Sequence, residues 1–346
     1  MNDNKILIIG YFGYETNQLD GQTVKTRNIY ELLKKHEKEL GTILYCDTQK
    51  IRYNISSIID LFRYVSKCNY LILIPARNNL TYLFPILFVL SKIFKYNIIH
   101  IGVGGWQKEY FEKHKIQRWM AKKINVNLLE NKLVKNDLKI KFDFENVDVI
   151  PNYRIHNHLP NISSNSDDDF LRIVFMSRIN KKKGLDIVFK IAEYYTNINP
   201  QKITIDFYGP IETTDEDYFF EQIEKYSLTK YHGILQPEEI YNTLENYDIL
   251  ILPTQYYTEG FPGAILDAYI AGIPVLVSNW KHANEFVENG VSGFICEMSD
   301  VNQYIQKIDE LINNKNTLKQ LKEGAWEKSK LYSEESAYEI LKKYLC

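Results

Sequence analysis

Cysteine is scarce, with four in 346 residues, and Cys46, Cys68, Cys296 and Cys346 show no paired spacing of the kind zinc requires. That scarcity fits a reducing compartment. Nothing at the N-terminus looks like a secretory leader. Met1-Asn2-Asp3-Asn4 runs straight into the strand-like Ile6-Leu7-Ile8-Ile9, so a cytoplasmic protein is expected. No apolar run reaches the roughly 20 residues of a spanning helix. The segment Tyr82–Phe94 comes nearest, but charge enters at Lys92 and Lys95, and a buried core helix is the simpler expectation. No Gly-x-Gly-x-x-Gly follows the first strand, which disfavours a dinucleotide oxidoreductase. Disorder is excluded by a composition that is 45% hydrophobic and 25% charged.

Net charge is only −2, but it is unevenly spread. Residues 1–165 carry 24 Lys and Arg against 15 Asp and Glu, and residues 166–346 carry 18 against 29. A chain of this length exceeds the usual single domain, and a basic half joined to an acidic half suggests two domains. Short apolar runs alternate with amphipathic stretches throughout. The first half has runs at Lys5–Gly10, Thr42–Cys46, Tyr70–Ile74, Asn97–Ile101, Asn125–Leu129 and Val147–Ile150. After the polar segment Pro151–Asp169 the alternation restarts at Ile173–Met176. This pattern predicts α/β architecture: two Rossmann-like doubly wound domains, each a parallel sheet covered on both sides. The expected division is residues 1–153, a linker at 154–169, a second domain at 170–330, and a terminal helix at 331–346 that could return to the first domain. Such a pair places a ligand cleft at the carboxyl ends of the strands.

Three places carry candidate chemistry. Ser177–Gly184 leaves a strand and enters a helix, putting Arg178 and Lys183 where helix N–H groups favour anions. Arg grips phosphate oxygens as a fork and Lys as a point charge, although a basic surface turn would look the same. The loop Tyr11–Gly21 precedes a helix, and Gly21 could admit a substrate close to the backbone, or simply make a turn. His100 closes a strand before Gly102-Val103-Gly104-Gly105, either packed or catalytic, while His156 and His158 look solvated and His232 carries less weight. The most informative segment is Glu259-Gly260-Phe261-Pro262-Gly263-Ala264-Ile265-Leu266-Asp267. Pro262 suits a first helical turn, Gly263 and Ala264 keep the helix start open, and two acids flank it to receive hydroxyls. Alternatively Glu259 is a loop residue and Asp267 complements the helix dipole.

Phe175–Gly184, Asp248–Pro253 and Glu259–Ser278 together resemble the retaining nucleotide-sugar glycosyltransferases of family 4, which have the GT-B fold. Val149-Ile150-Pro151-Asn152, Tyr208-Gly209-Pro210 and Val291-Ser292-Gly293-Phe294 occur in the matching order. The resemblance spans about residues 147–297 and is weak in the first half. It implies that Arg178 and Lys183 hold the donor diphosphate and that Glu259 contacts donor-sugar hydroxyls. Gly209 belongs to the same donor site, Phe261–Gly263 would offer backbone N–H groups, and Asp267 would contact the ribose. It further implies that His100 corresponds to a first-domain histidine near the sugar. No metal and no cofactor are implied, so Asp167-Asp168-Asp169 and Asp215-Glu216-Asp217 are not metal motifs. The family usually has Glu where this chain has Asp267, a side chain shorter by about 1.5 Å.

What the resemblance implies chemically is metal-independent transfer of one sugar to a hydroxyl with retention. No residue is placed as a covalent nucleophile, so front-face attack is expected, with the leaving diphosphate helping to take the acceptor's proton. The expected partners are a nucleotide sugar, commonly UDP-linked in such enzymes, and a saccharide or lipid-linked saccharide in cell-envelope polysaccharide assembly. Nucleic acid is not among them. Lys108–Lys123 carries six basic residues with Tyr110, Phe111, Trp119 and Met120, which reads as a surface helix or as peripheral contact with the inner face of the cell membrane. Two rival functions share the architecture: a sugar-nucleotide epimerase, which would need acid/base carboxylates from both domains, and a non-catalytic partner subunit of a glycosyltransferase.

Overall fold

The computed structural model describes residues 4–16, 20–51, 55–162 and 170–345. Asp167-Asp168-Asp169 and Cys346 lie outside the described residues. The chain forms two compact units, Met1–Ile155 with Tyr332–Cys346, and His156–Leu331.

The first unit is built on β1 (Lys5–Gly10), β2 (Thr42–Asp47), β3 (Tyr70–Ile74), β4 (Asn97–Ile101), β5 (Val126–Leu129) and β6 (Val147–Val149). Their order is β2-β1-β3-β4-β5-β6, and every neighbouring pair is parallel. The strands are apolar on consecutive residues because both faces are covered. Leu7, Ile9, Leu71, Leu73 and Ile98 enter one core cluster, while Ile6, Ile8, Ile72, Ile74 and Ile99 enter the other, the two-residue period of a strand. α1 (Gly21–Lys35) and the C-terminal helix Glu334–Lys342 pack on the second cluster. The first is covered by α2 (Ile55–Val65), α3 (Arg77–Phe94), α4 (Gln107–Lys113), α5 (Lys115–Ala121) and α6 (Lys132–Phe142).

The second unit contains β7 (Leu171–Met176), β8 (Ile203–Tyr208), β9 (Thr229–Tyr231), β10 (Ile249–Leu252), β11 (Val275–Ser278) and β12 (Gly293–Cys296). It too is all-parallel, ordered β12-β11-β10-β7-β8-β9. α7 (Leu185–Ile198) follows β7, α8 (Glu216–Lys225) follows β8, and α9 (Gly263–Ile270) follows β10. α10 (Val301–Asn313) and α11 (Lys315–Ser329) complete it, with α11 packed against α9. Strand order reverses between β7 and β10, and in open parallel sheets that switch point is where two loops diverge and leave room for a ligand.

Four expectations need correction. Lys108–Lys123 is two helices, α4 and α5, with His114 between them in a non-helical conformation. Tyr82–Phe94 is not a fully buried helix: α3 buries Leu80, Phe84, Leu87 and Phe88 but exposes Tyr82, Ile86, Val89, Ile93 and Phe94. The described part of the supposed linker is docked, since the Asn161 N–H donates to Glu245 at 3.1 Å. His158 is accordingly not solvated, with Nε2 3.0 Å from Glu245 and its ring against Tyr241, and His156 also packs on Tyr241.

Candidate functional site

The loops after β7 and β10 meet at the switch point because Gly184 lets backbone approach backbone, and Gly209 does the same between the loops after β7 and β8. Gly184 adopts φ +91°, and a Cβ there would stand 2.1 Å from the Pro253 carbonyl oxygen. Gly209, after β8, has φ +134° and would collide with the Ser177 carbonyl at 1.9 Å. The Gln255 N–H then donates to the Lys182 carbonyl at 2.8 Å, tying the two loops directly. Asn180 shapes the first loop by accepting from the Lys183 N–H at 2.9 Å, a local cap that starts a short 3-10 turn ahead of α7.

These loops bring Lys183 and Glu259 together. The Lys183 ammonium donates to Glu259 Oε2 at 2.7 Å, and the Thr254 hydroxyl donates to the same oxygen at 3.3 Å. Both charged side chains are mostly buried and Thr254 is fully so. The Lys183 ammonium also lies 5.2 Å from the centre of the Tyr256 ring, a cation–π contact. Thr254 and Tyr256 were not singled out from sequence. The available signal was their place just beyond Pro253, in the loop leaving β10.

Arg178 is not part of that cluster. It is half exposed and sits 3.5 Å from Glu212, an acid that sequence reasoning passed over. A pair that open is a weak one, so Arg178 is readily available to another anion. Phe261 is buried and stacked on Phe286, with ring centres 4.3 Å apart and planes 3° from parallel. This anchors the approach to α9, whose first helical residue is Gly263, with Pro262 as its N-cap rather than its first turn. Gly260, Phe261 and Pro262 are buried while Gly263 and Ala264 are partly exposed, so the helix start opens outward. Asp267 lies one turn further on and is buried. Asp215 accepts from the Lys181 N–H at 2.9 Å, and among the described residues no three His, Cys, Asp or Glu are grouped to hold a metal ion.

Gly21 and His100 belong to the first unit. Gly21 opens α1, with open space where a Cβ would stand, and Asp20 caps that helix by accepting from Gln22 and Thr23. His100 is buried at 1% exposure, its Nδ1 2.9 Å from Asn127 Oδ1. Asn127 uses its amide N–H groups on the Ala121 and Asn146 carbonyls, so its oxygen faces the ring and His100 Nδ1 carries the proton. Burial lowers the pKa of the imidazole to about 4, against a smaller opposing effect of the Asn127 hydrogen bond. Nearby, Lys25 and Glu130 form a buried ion pair at 3.2 Å, and Glu130 also accepts from the Gly104 N–H at 2.8 Å. In the second unit His232 pairs with Asp206 at 3.1 Å and stacks on Tyr208.

Residues 161–328, which contain the whole Lys183–Glu259 cluster, match the family described as "Glycosyl transferases group 1". This segment carries a group 1 glycosyl transferase domain. A curated relative, the poly(ribitol-phosphate) alpha-N-acetylglucosaminyltransferase of Staphylococcus aureus, is 25% identical over 233 residues, 64% of this chain and 44% of the relative. The capsular polysaccharide biosynthesis glycosyltransferase CapM, also of Staphylococcus aureus, is 29% identical over 153 residues, 43% of this chain and 38% of the relative. The matched segments thus span less than half the length of these relatives. HepE of Anabaena, solved in complex with UDP and glucose, covers 99% of both chains with a TM-score of 0.73 and 15% identity. That likeness concerns the fold, which is GT-B: the group 1 domain is one of two α/β units, each with a six-stranded parallel sheet.

Proposed function

We propose that this chain is a retaining, metal-independent glycosyltransferase of family 4 that moves a sugar from a nucleoside diphosphate sugar, UDP-linked, to a saccharide or lipid-linked saccharide in cell-envelope polysaccharide assembly. The observation that carries the reading is the Lys183–Glu259–Thr254 cluster at the β7/β10 switch point, inside the group 1 domain and beside the open start of α9. The printed activities of the relatives and the UDP and glucose held by HepE support the choice of donor and pathway.

In this mechanism the donor diphosphate takes over Lys183 from Glu259. The freed Glu259 carboxylate, still held by Thr254, accepts hydroxyls of the donor sugar. Arg178 exchanges the solvent-exposed Glu212 for phosphate oxygens, and the Gly263 N–H faces the same charge; Pro262 has no N–H to give. Asp267 receives ribose hydroxyls. The anomeric C–O bond to the β-phosphate breaks as the acceptor oxygen forms a new bond on the same face. The acceptor proton passes to a leaving diphosphate oxygen. Lys183 and Arg178 stabilise the charge that develops there, worth most where water is excluded.

Replacing Lys183 or Arg178 with Ala is expected to lower transfer by two to three orders of magnitude, about 3–4 kcal/mol of transition-state stabilisation. Measuring UDP-sugar turnover in both variants tests this, and wild-type rates in both would remove the assignment.

A further inference from the structure

The two helical layers of the first unit differ sharply in what they show to solvent. α1 and the C-terminal helix expose no large hydrophobic side chain among the described residues; Lys35 pairs with Glu334 at 2.7 Å, and Lys342 pairs with Glu39 in the short helix Glu37–Leu40 that follows α1. On the opposite layer, α3 carries Tyr82, Ile86, Val89 and Ile93 at spacings of four, three and four residues, each more than half exposed. That is one helical stripe facing outward. α5, which packs on α3, adds Ile116 and Trp119, also more than half exposed.

The charges on α3 and α5 are all of one sign. Residues 77–95 contain Arg77, Lys92 and Lys95 and no acid, and residues 113–123 contain Lys113, Lys115, Arg118, Lys122 and Lys123 and no acid. Acids on adjacent helices are engaged at home, Glu112 with Lys141 at 2.6 Å and Asp137 with Lys108 at 3.6 Å. The Lys92 and Lys123 ammonium groups lie 4.8 and 4.4 Å from the Phe88 and Trp119 ring centres, so cation and apolar surface are presented side by side. Beyond Tyr82 the stripe ends at a cavity of about 310 Å³ lined by Arg77, Lys113 and His114, with Glu109 as its one carboxylate.

We infer that the α3–α5 face docks in the plane of an anionic lipid bilayer, with the stripe entering the headgroup boundary and the cations on lipid phosphates. An aqueous protein surface gains nothing from an apolar stripe of this length, whereas a bilayer rewards both the burial and the charge. A second copy of the chain is the wrong partner, because stacking two such faces would bring cations against cations. No described helix is long and apolar enough to cross a membrane, so the contact is in-plane. The inference goes beyond the transfer reading and needs no donor to hold.

Sedimentation of the full chain with vesicles tests it, comparing phosphatidylcholine alone with phosphatidylcholine containing about a third phosphatidylglycerol, at low and at physiological salt. Binding to the anionic vesicles that weakens as salt rises is the expected result. The double variant Ile86→Ser, Ile93→Ser should bind at least about tenfold less at low salt, since the apolar contribution is lost. Its circular dichroism and its thermal shift with UDP should match the wild type, because both side chains are exposed. Absence of anionic-vesicle binding at low salt, or full binding by the double variant, would overturn the inference. So would a dimer in velocity sedimentation that the two substitutions dissolve.

Discussion

Lys183 and Glu259 neutralise each other at 2.7 Å in a mostly buried setting. On the proposed reading, phosphate would replace the carboxylate as partner of Lys183, and sugar hydroxyls would replace the ammonium as partners of Glu259. Buried Asp267 is the member of this set whose length departs from the family's usual Glu, and α9 around it is closely packed. On the proposed ribose contact, Asp267→Asn should weaken UDP binding by about 1.5–3 kcal/mol, tenfold to a hundredfold in Kd by calorimetry. Asp267→Glu should also weaken it rather than restore a family optimum, because an added methylene must be fitted into a filled space. His100 gives a pH prediction of definite sign. Its imidazole titrates near 4 when folded and near 6.5 when unfolded, so below 6.5 the unfolded chain binds the extra proton. Folding stability is therefore whole above pH 6.5 and is lost progressively as pH falls toward 4. Between pH 7 and pH 5 the His100 share of the loss is about 2 kcal/mol. Urea unfolding at the two pH values should show a correspondingly smaller drop in a His100→Asn variant.

Among elements, the strands were the most legible. β1, β3 and β4 have the bounds that the apolar runs suggested, because a strand buried on both faces leaves a continuous apolar signature. β9, Thr229–Tyr231, escaped notice: it is a three-residue edge strand with an exposed Lys230 and no such run. The break at His114 was hidden too, since the apolar and basic pattern continues through it and only the backbone changes course. At the candidate site, the residue types of the Ser177–Gly184 and Glu259–Asp267 segments were readable, but their mutual arrangement was not. Nothing local indicates that Lys183 would close on Glu259 while Arg178 stays apart on Glu212, as this depends on how far two loops 76 residues apart approach. Gly184 sets that approach. Gly184→Ala would combine a left-handed φ, costing about 1–2 kcal/mol, with a methyl group 2.1 Å from the Pro253 oxygen, so the loops must part. Its turnover should fall at least as far as that of Lys183→Ala, with reduced stability in urea, although no side chain of the cluster has been changed.

Between the two units, sequence order and spatial order part company at the C-terminal helix. The C-terminal helix follows the second unit in sequence yet belongs to the first. Ala337, Tyr338, Leu341 and Leu345 are buried with α1 and the β1 and β3 strands, and Tyr338 stacks on His36 with ring centres 3.5 Å apart. Polar contacts fix the same docking: Tyr338 donates to Glu39 at 2.8 Å, and Tyr344 to Asp148 at 3.0 Å. An apolar face on a short helix announces that something will be covered, but not which of two similar sheets. A chain ending at Leu331 would remove Ala337, Tyr338, Leu341 and Leu345 from this core and open one side of it to water. Four buried side chains removed at about 1.5–3 kcal/mol for each large one is comparable to the entire stability of a domain. The truncated chain should therefore lose the first unit selectively. Limited proteolysis should cut within residues 1–155 and leave a resistant fragment that includes the group 1 domain at 161–328. Equal protection of both units after truncation would mean that the C-terminal helix is held by the first core without supporting it.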